Sequence, residues 1–233
     1  MGLSHSPSIV TDGLVLCLDA ANPRSYPGSG TSWTDIKRKS DRTLTNGAEY
    51  NSDFGGNINF DGTNDLVNTG FHIGWNNTNS VTISFHVRPN TLSQTKPFLG
   101  TNGYEWQIRQ NNTSLQFVYW NTFGSHTNGP IPNITDFFLN TNDFVYVSVV
   151  WNHVDNKYYF YRNGVLVNTT VWYDASINKS TPYYVHVGGN VYNWGAMGSY
   201  WNGSITNLTM YNIPLSSDEI RRNYLATKSR FGL

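Results

Sequence analysis

Charge is scarce in this chain. Only 13% of its 233 residues are Asp, Glu, Lys or Arg, and 15 basic side chains balance 15 acidic ones. Gripping a phosphate backbone or an anionic lipid surface takes clustered positive charge, so neither nucleic acid nor membrane is an expected partner. Cysteine is scarcer still. Cys17 stands alone, which excludes an intrachain disulfide; it reads as a buried thiol. Long apolar runs are missing as well: the longest, Phe144 to Trp151, is strand-sized and far below the ~20 residues of a membrane helix. The opening MGLSHSPSIVTDGLVLCLDA has no basic stretch and nothing apolar longer than Leu14 to Leu18, so no secretory signal is expected. Sequons starting at Asn76, Asn111, Asn133, Asn168, Asn202 and Asn207 arise freely in an Asn/Thr-rich chain and are expected to be unused. Gly2 with Ser6 fits a myristoylation pattern, but so short a match arises often by chance.

Aromatic residues, by contrast, make up 15% of the chain. Short alternating stretches separated by Gly, Asn or Pro recur throughout, and no fixed repeat period is present. The expected class is all-β, with residues 1–233 forming one domain. Leu14, Leu16 and Leu18 point one way, and Val15, Cys17 and Asp19 the other, as in an early strand with one face in the core. Residues 22 to 47 hold two prolines and several glycines and read as a long structured loop with short edge strands. Further strands are expected over 57–60, 81–88, 98–100, 105–110, 114–120, 144–151, 158–162, 165–169, 184–188 and 204–211. In YYFYRNGVLVN, Asn163-Gly164 supplies the two left-handed residues of a type I′ hairpin. Only LSSDEIRRNYLATK reads as helix. Ser216 is its N-cap, Glu219 completes a capping box, and Ile220, Tyr224 and Leu225 form its apolar side. Lys228 and Arg230 are placed to complement its C-terminus.

Three segments carry a family resemblance: LVLCLDAANPRSYPGSGTSWTDI with INFDGTNDLV, then VYVSVVWNHVDNKYYFYRNGVLV, and finally GSITNLTMYNIPLSSDEIRRNYLATKSRFGL. Together they resemble laminin-G-like, concanavalin A-like domains of the lectin/glucanase superfamily, of the kind found in bacteriophage and large-virus structural proteins. The resemblance implies a two-sheet antiparallel jelly-roll sandwich with paired terminal strands and a short C-terminal helix. It further implies a non-enzymatic virion protein, on the particle surface or in a tail or fibre, with other virion proteins, a second copy or a glycan as partners. A carbohydrate-binding lectin module is the alternative; a glycan-active enzyme is the third.

Family members that cleave glycans set carboxylates on alternate positions of one strand, E-x-D-x-E or E-x-D-x-x-E. Here Glu49, Glu105 and Glu219 are the only glutamates and are scattered, so no catalytic residue is assigned. No G-x-S-x-G elbow and no Cys/His zinc spacing occur. His86, His153 and His186 are expected as satisfied polar groups on the sandwich. Sugar binding needs a flat aromatic face with Asn, Asp or backbone groups around it. That points to Trp106, Trp120, Asn121, His126, Asn193, Trp194 and Trp201, whereas Trp151 reads as core. The Trp194 loop reads equally as a subunit contact. Asp61 and Asp65 in FDGTND read either as calcium ligands, which relatives hold with rim-loop oxygens, or as a tight turn with its cap. Otherwise no cofactor is expected.

Overall fold

A computed structural model describes residues 7–72, 79–101, 106–119, 132–171, 184–190 and 198–232. In chain order the strands are β1 (Leu14–Asp19), β2 (Ser32–Asp35), β3 (Ser40–Thr45), β4 (Glu49–Asn51), β5 (Asn57–Asp61), β6 (Leu66–Asn68), β7 (Val81–Pro89), β8 (Thr95–Thr101) and β9 (Trp106–Asn111). There follow β10 (Ser114–Tyr119), β11 (Asn133–Ile134), β12 (Val145–Asn152), β13 (Lys157–Arg162), β14 (Val165–Val171), β15 (Val185–Val187), β16 (Gly189–Asn190), β17 (Ser199–Tyr200) and β18 (Asn202–Tyr211). Helix α1 (Ser217–Thr227) and a 3-10 turn over Lys228–Phe231 come last. The first sheet runs β14-β13-β12-β7-β18-β5-β4 with β1 also on β18; the second runs β11-β10-β9-β8-β15-β6-β3-β2. Both are antiparallel, as the all-β sandwich reading requires.

β18 organises the first sheet. One edge lies along β7; the other is shared, with Asn202 to Ile205 on β5 and Asn207 to Tyr211 on β1. The chain's first and last strands therefore pair. Between the sheets, alternate positions interdigitate: Ile83, Phe85 and Val87 of β7 and Val147, Val149 and Trp151 of β12 meet Phe98, Trp106, Ile108 and Phe117 of the second sheet. Each such side chain contributes roughly 1.5–3 kcal/mol of transfer free energy when fully buried. Gly188, at φ 85°, is held where the Phe60 ring crosses it; a β-carbon there would stand 2.1 Å from the ring. A smaller apolar cluster lies on the outer face of the first sheet beneath α1, and includes Leu14, Cys17, Tyr146, Val150 and Ile220. With both faces covered, β12 reads as an almost unbroken apolar run.

Two of the sequence expectations change at this level. Leu14 does not share the face of Leu16 and Leu18. A register shift between Leu14 and Leu16 turns it outward to join Cys17, as a β-bulge does by adding one residue to a period of two. Helix α1 is capped as expected: Ser216 Oγ accepts from the Glu219 N–H, and the Ser216 N–H donates to Glu219 Oε2 at 2.8 Å. Its buried residues, however, are Ile220, Asn223 and Thr227, with Leu225 only half-buried. Ile220 is buried in the outer apolar cluster and Tyr224 packs against it, as expected, while Asn223 and Thr227 add two buried polar positions to the same face. Among the described residues no helix is long and apolar enough to cross a membrane.

Candidate functional site

Trp106 and Trp201 do not present rings to solvent. Both are fully buried. Trp201 Nε1 donates to Gln110 Oε1 at 2.8 Å, and its ring stands edge-on to Phe98 at 5.3 Å. Trp106, on the inner register of β9, stacks on Phe117 with centroids 6.4 Å apart. A ring closed on all sides cannot carry a sugar, so for these two the expectation is corrected to core. Trp120, Asn121, His126, Asn193 and Trp194 lie outside the described residues. Trp151 is core, as expected.

In FDGTND the geometry is that of a turn. Asp61 Oδ1 accepts from the Thr63 N–H at 2.7 Å, and Asp65 Oδ2 accepts from the Asp61 N–H at 2.8 Å. Burial raises the Asp65 carboxyl above its ordinary range, against the lowering effect of the Asp61 N–H. Calcium takes six to eight oxygens. Each of these carboxylates has one oxygen held by backbone, and no group of three or more His, Cys, Asp or Glu side chains converges among the described residues.

A cleft is lined by residues of β1 and β18, and beside it the outer face of the first sheet carries polar side chains along with the smaller apolar cluster. Ser84 and Ser148 share a buried hydrogen bond of 2.7 Å, and Thr82 Oγ1 donates to the Ile213 carbonyl while accepting from the Leu215 N–H. Asn207 Oδ1 lies 3.0 Å from both the backbone N and the ring Nδ1 of His86. Because that oxygen accepts from a backbone N–H, the neighbouring Nδ1 must carry the imidazole proton. The ring is fully buried between Tyr146 and Phe231, and burial lowers its pKa to about 3, opposed by the bond to Asn207. It stays neutral. His153 meets Ser80 Oγ at 2.8 Å, and burial lowers buried His186 to about 4.

The cleft has a volume of about 440 Å³, within the size range of small-molecule sites. Leu14 and Ile36 line its apolar side; Asn207, Thr209 and Thr227 line its polar side. Its charged end is a fork in which Arg230 Nη1 and Nη2 donate to Asp19 Oδ1 and Oδ2 at 2.7 and 2.8 Å. Arg230 therefore serves β1 rather than the helix C-terminus. Cys17 also lines the cleft, its thiol pushed up to about 12 by burial and then by Asp19 and Asp35. A thiol so poised is not a nucleophile. The arrangement suits hydrogen bonding of a small polar molecule against an aliphatic wall. Nothing in the sequence marked it, since Asp19 and Arg230 are 211 residues apart.

Residues 61–221 match the family model described as the concanavalin A-like lectin/glucanases superfamily. No curated protein matches the sequence. Among solved structures, a Trypanosoma rangeli sialidase in complex with sialic acid superposes with a TM-score of 0.67 at 16% identity, covering 98% of this chain and 36% of that one. The same sialidase solved separately gives 0.65 at 17% identity, with the same coverage. A point mutant of HCR/D gives 0.65 at 13% identity over 91% of this chain and 52% of its own. At such identities the likeness is one of fold, and the chain spans about a third of the sialidases' length. These neighbours overturn the expectation of a virion structural protein, since those named are glycan-active enzymes and HCR/D rather than capsid or tail proteins. The match over 61–221 and the two-sheet sandwich agree: the chain belongs to the concanavalin A-like lectin/glucanases superfamily.

Proposed function

We propose that this chain is a non-catalytic carbohydrate-binding module. The observation that carries the reading is what five of its fifteen carboxylates do. Asp19 is forked to Arg230, Asp35 Oδ1 accepts from the N–H groups of Cys17 and Lys37, Asp61 and Asp65 close one turn, and Glu219 caps a helix. Glycoside hydrolysis needs two carboxyl groups about 5–10 Å apart across an open site; these five are spent on the fold. Membership of a lectin/glucanase superfamily then favours the lectin side. Among the described residues the cleft, with its amide, hydroxyl and guanidinium groups, is the surface available to a sugar; Trp120 and Trp194, which the sequence offers as aromatic platforms, are tested by substitution.

A glycan array probed with the whole chain, followed by calorimetric titration of the best ligand, tests this. Trp120→Ala and Trp194→Ala are expected to weaken binding by about tenfold or more each, about 1.4 kcal/mol. Release of reducing sugar from any glycan of the array would overturn the non-catalytic reading. A blank array would overturn the binding one.

A further inference from the structure

Beyond α1 the chain makes the short 3-10 strap Lys228–Phe231, closed by Gly232 in the left-handed conformation. Two of its side chains fix the strap to the first sheet. Arg230 forks onto Asp19 of β1. The Phe231 ring lies over His86 of β7, with centroids 4.5 Å apart, and against Phe144 at 4.9 Å. Both side chains are half-buried, whereas the imidazole beneath them is fully buried. Only one of its ring nitrogens is bonded: Nδ1 meets Asn207 Oδ1 at 3.0 Å, and Nε2 has no partner. A second proton would have to sit on that enclosed, unpartnered nitrogen as an unpaired charge. The neighbouring groups do not relieve it. Tyr146 of β12 is kept neutral by burial, Arg88 of β7 and Lys228 and Arg230 of the strap are cations, and Asp19 is already forked to Arg230.

We propose that this strap is an acid-opened lid on the cleft: protonation of His86 lifts Phe231 and Arg230 off the sheet and takes the cleft's charged end with them. Arg230 and Thr227 line the cleft, so one wall of it moves with the strap. Asn207 lines it too, and is the residue that holds His86 in place. The lid does not depend on whether the cleft takes a sugar. With the strap raised, the imidazole meets water and its pKa returns from about 3 towards the ordinary 6.5. Below 6.5 the open form takes up a proton that the closed form refuses, so the open population rises as pH falls and levels off only near the closed value. Between about pH 7 and about pH 5 that linkage amounts to about 25-fold.

Hydrogen–deuterium exchange of the whole chain at about pH 7 and about pH 5, read peptide by peptide and corrected for the intrinsic rate, follows the lid directly. Amides of residues 228–232 are expected to exchange about 25-fold faster at the lower pH, while those of β7 and β18 keep their protection. His86→Gln, which retains a donor for Asn207, should abolish the difference. His186→Gln, in the second sheet, should leave it intact. Phe231→Ala, which uncovers the imidazole, should speed strap exchange at about pH 7 and erase most of the difference; it decides the matter if His86→Gln does not fold. Strap exchange indifferent to pH overturns the proposal. A response that survives His86→Gln overturns it as well, placing the trigger at the Asp19 fork, and so does loss of protection in β7 and β18 in step with the strap, which is global unfolding.

Discussion

Asn223 ties three parts of the chain together through one amide. Its Oδ1 accepts from the Val10 N–H at 2.7 Å, its Nδ2 donates to the Tyr211 hydroxyl at 3.1 Å, and that hydroxyl donates to the Val10 carbonyl. All three residues are buried. Asn223→Leu leaves a buried N–H without its acceptor and is expected to cost about 2 kcal/mol, seen as a lower urea midpoint with an unchanged slope. The buried histidines make a second prediction. His86 and His186 are neutral when folded, with pKa values lowered from 6.5 to about 3 and about 4. Below 6.5 the unfolded chain takes up protons that the folded chain refuses, so stability is complete above that pH and is lost on acidification until each folded pKa is reached. The slope is about 1.4 kcal/mol per pH unit for each histidine. Denaturant titrations across that window should show it, and His86→Gln should remove about one proton's share. Cys17, raised to about 12 and buried, should resist iodoacetamide in the native state and react only on unfolding. If it alkylates in native buffer, the cleft is more open than described. At this scale the sequence was partly legible. The buried thiol was readable from type and setting; the histidines were so only in part, since His153 is bonded to Ser80 while His86 Nε2 and His186 Nδ1 are buried without a partner. Trp106 and Trp201 were not, because which face of a strand is inward is decided across the sandwich.

The elements read most easily were those whose signals are local. Asn163 and Gly164 have φ of 51° and 76°, and Arg162 faces Val165, so the type I′ hairpin stands where its two turn residues put it. The capping box of α1 is equally local, and Ser216→Ala should cost about 1 kcal/mol, measured as a drop in thermal midpoint. β4, β6 and β11 left no such mark. Each is three residues or fewer and is made a strand by the neighbour it pairs with. Pro97 would argue against a central strand, yet β8 lies between β9 and β15; a register shift between Pro97 and Leu99 accommodates it there. The inner face of α1 was read in part: Ile220 and Tyr224 pack as expected, but the buried Asn223 and Thr227 were not foreseen, for a related reason. Asn223 and Thr227 look like solvent positions until the polar outer face of the first sheet is known to lie beneath them.

At the scale of the whole molecule, a sandwich with an apolar middle also carries a polar layer, roofed by its own last helix. That layer explains how the first sheet can be covered twice, and the cleft where Asp19 and Arg230 meet lies beside it. The antiparallel pairing of β1 with β18 has a mechanical consequence. Leu14 faces Tyr211, so the chain enters β1 and leaves β18 at the same end of the ladder. Tension applied through the two ends of the chain first strains the Asp19 fork and peels α1 away. It then opens the ladder from Leu14 one bond at a time, as a zipper. Tension between the N-terminal side and Asn202, at the opposite end of β18, would instead load those bonds together in shear. Single-molecule extension should find the first geometry weak and the second several times stronger, from the same hydrogen bonds.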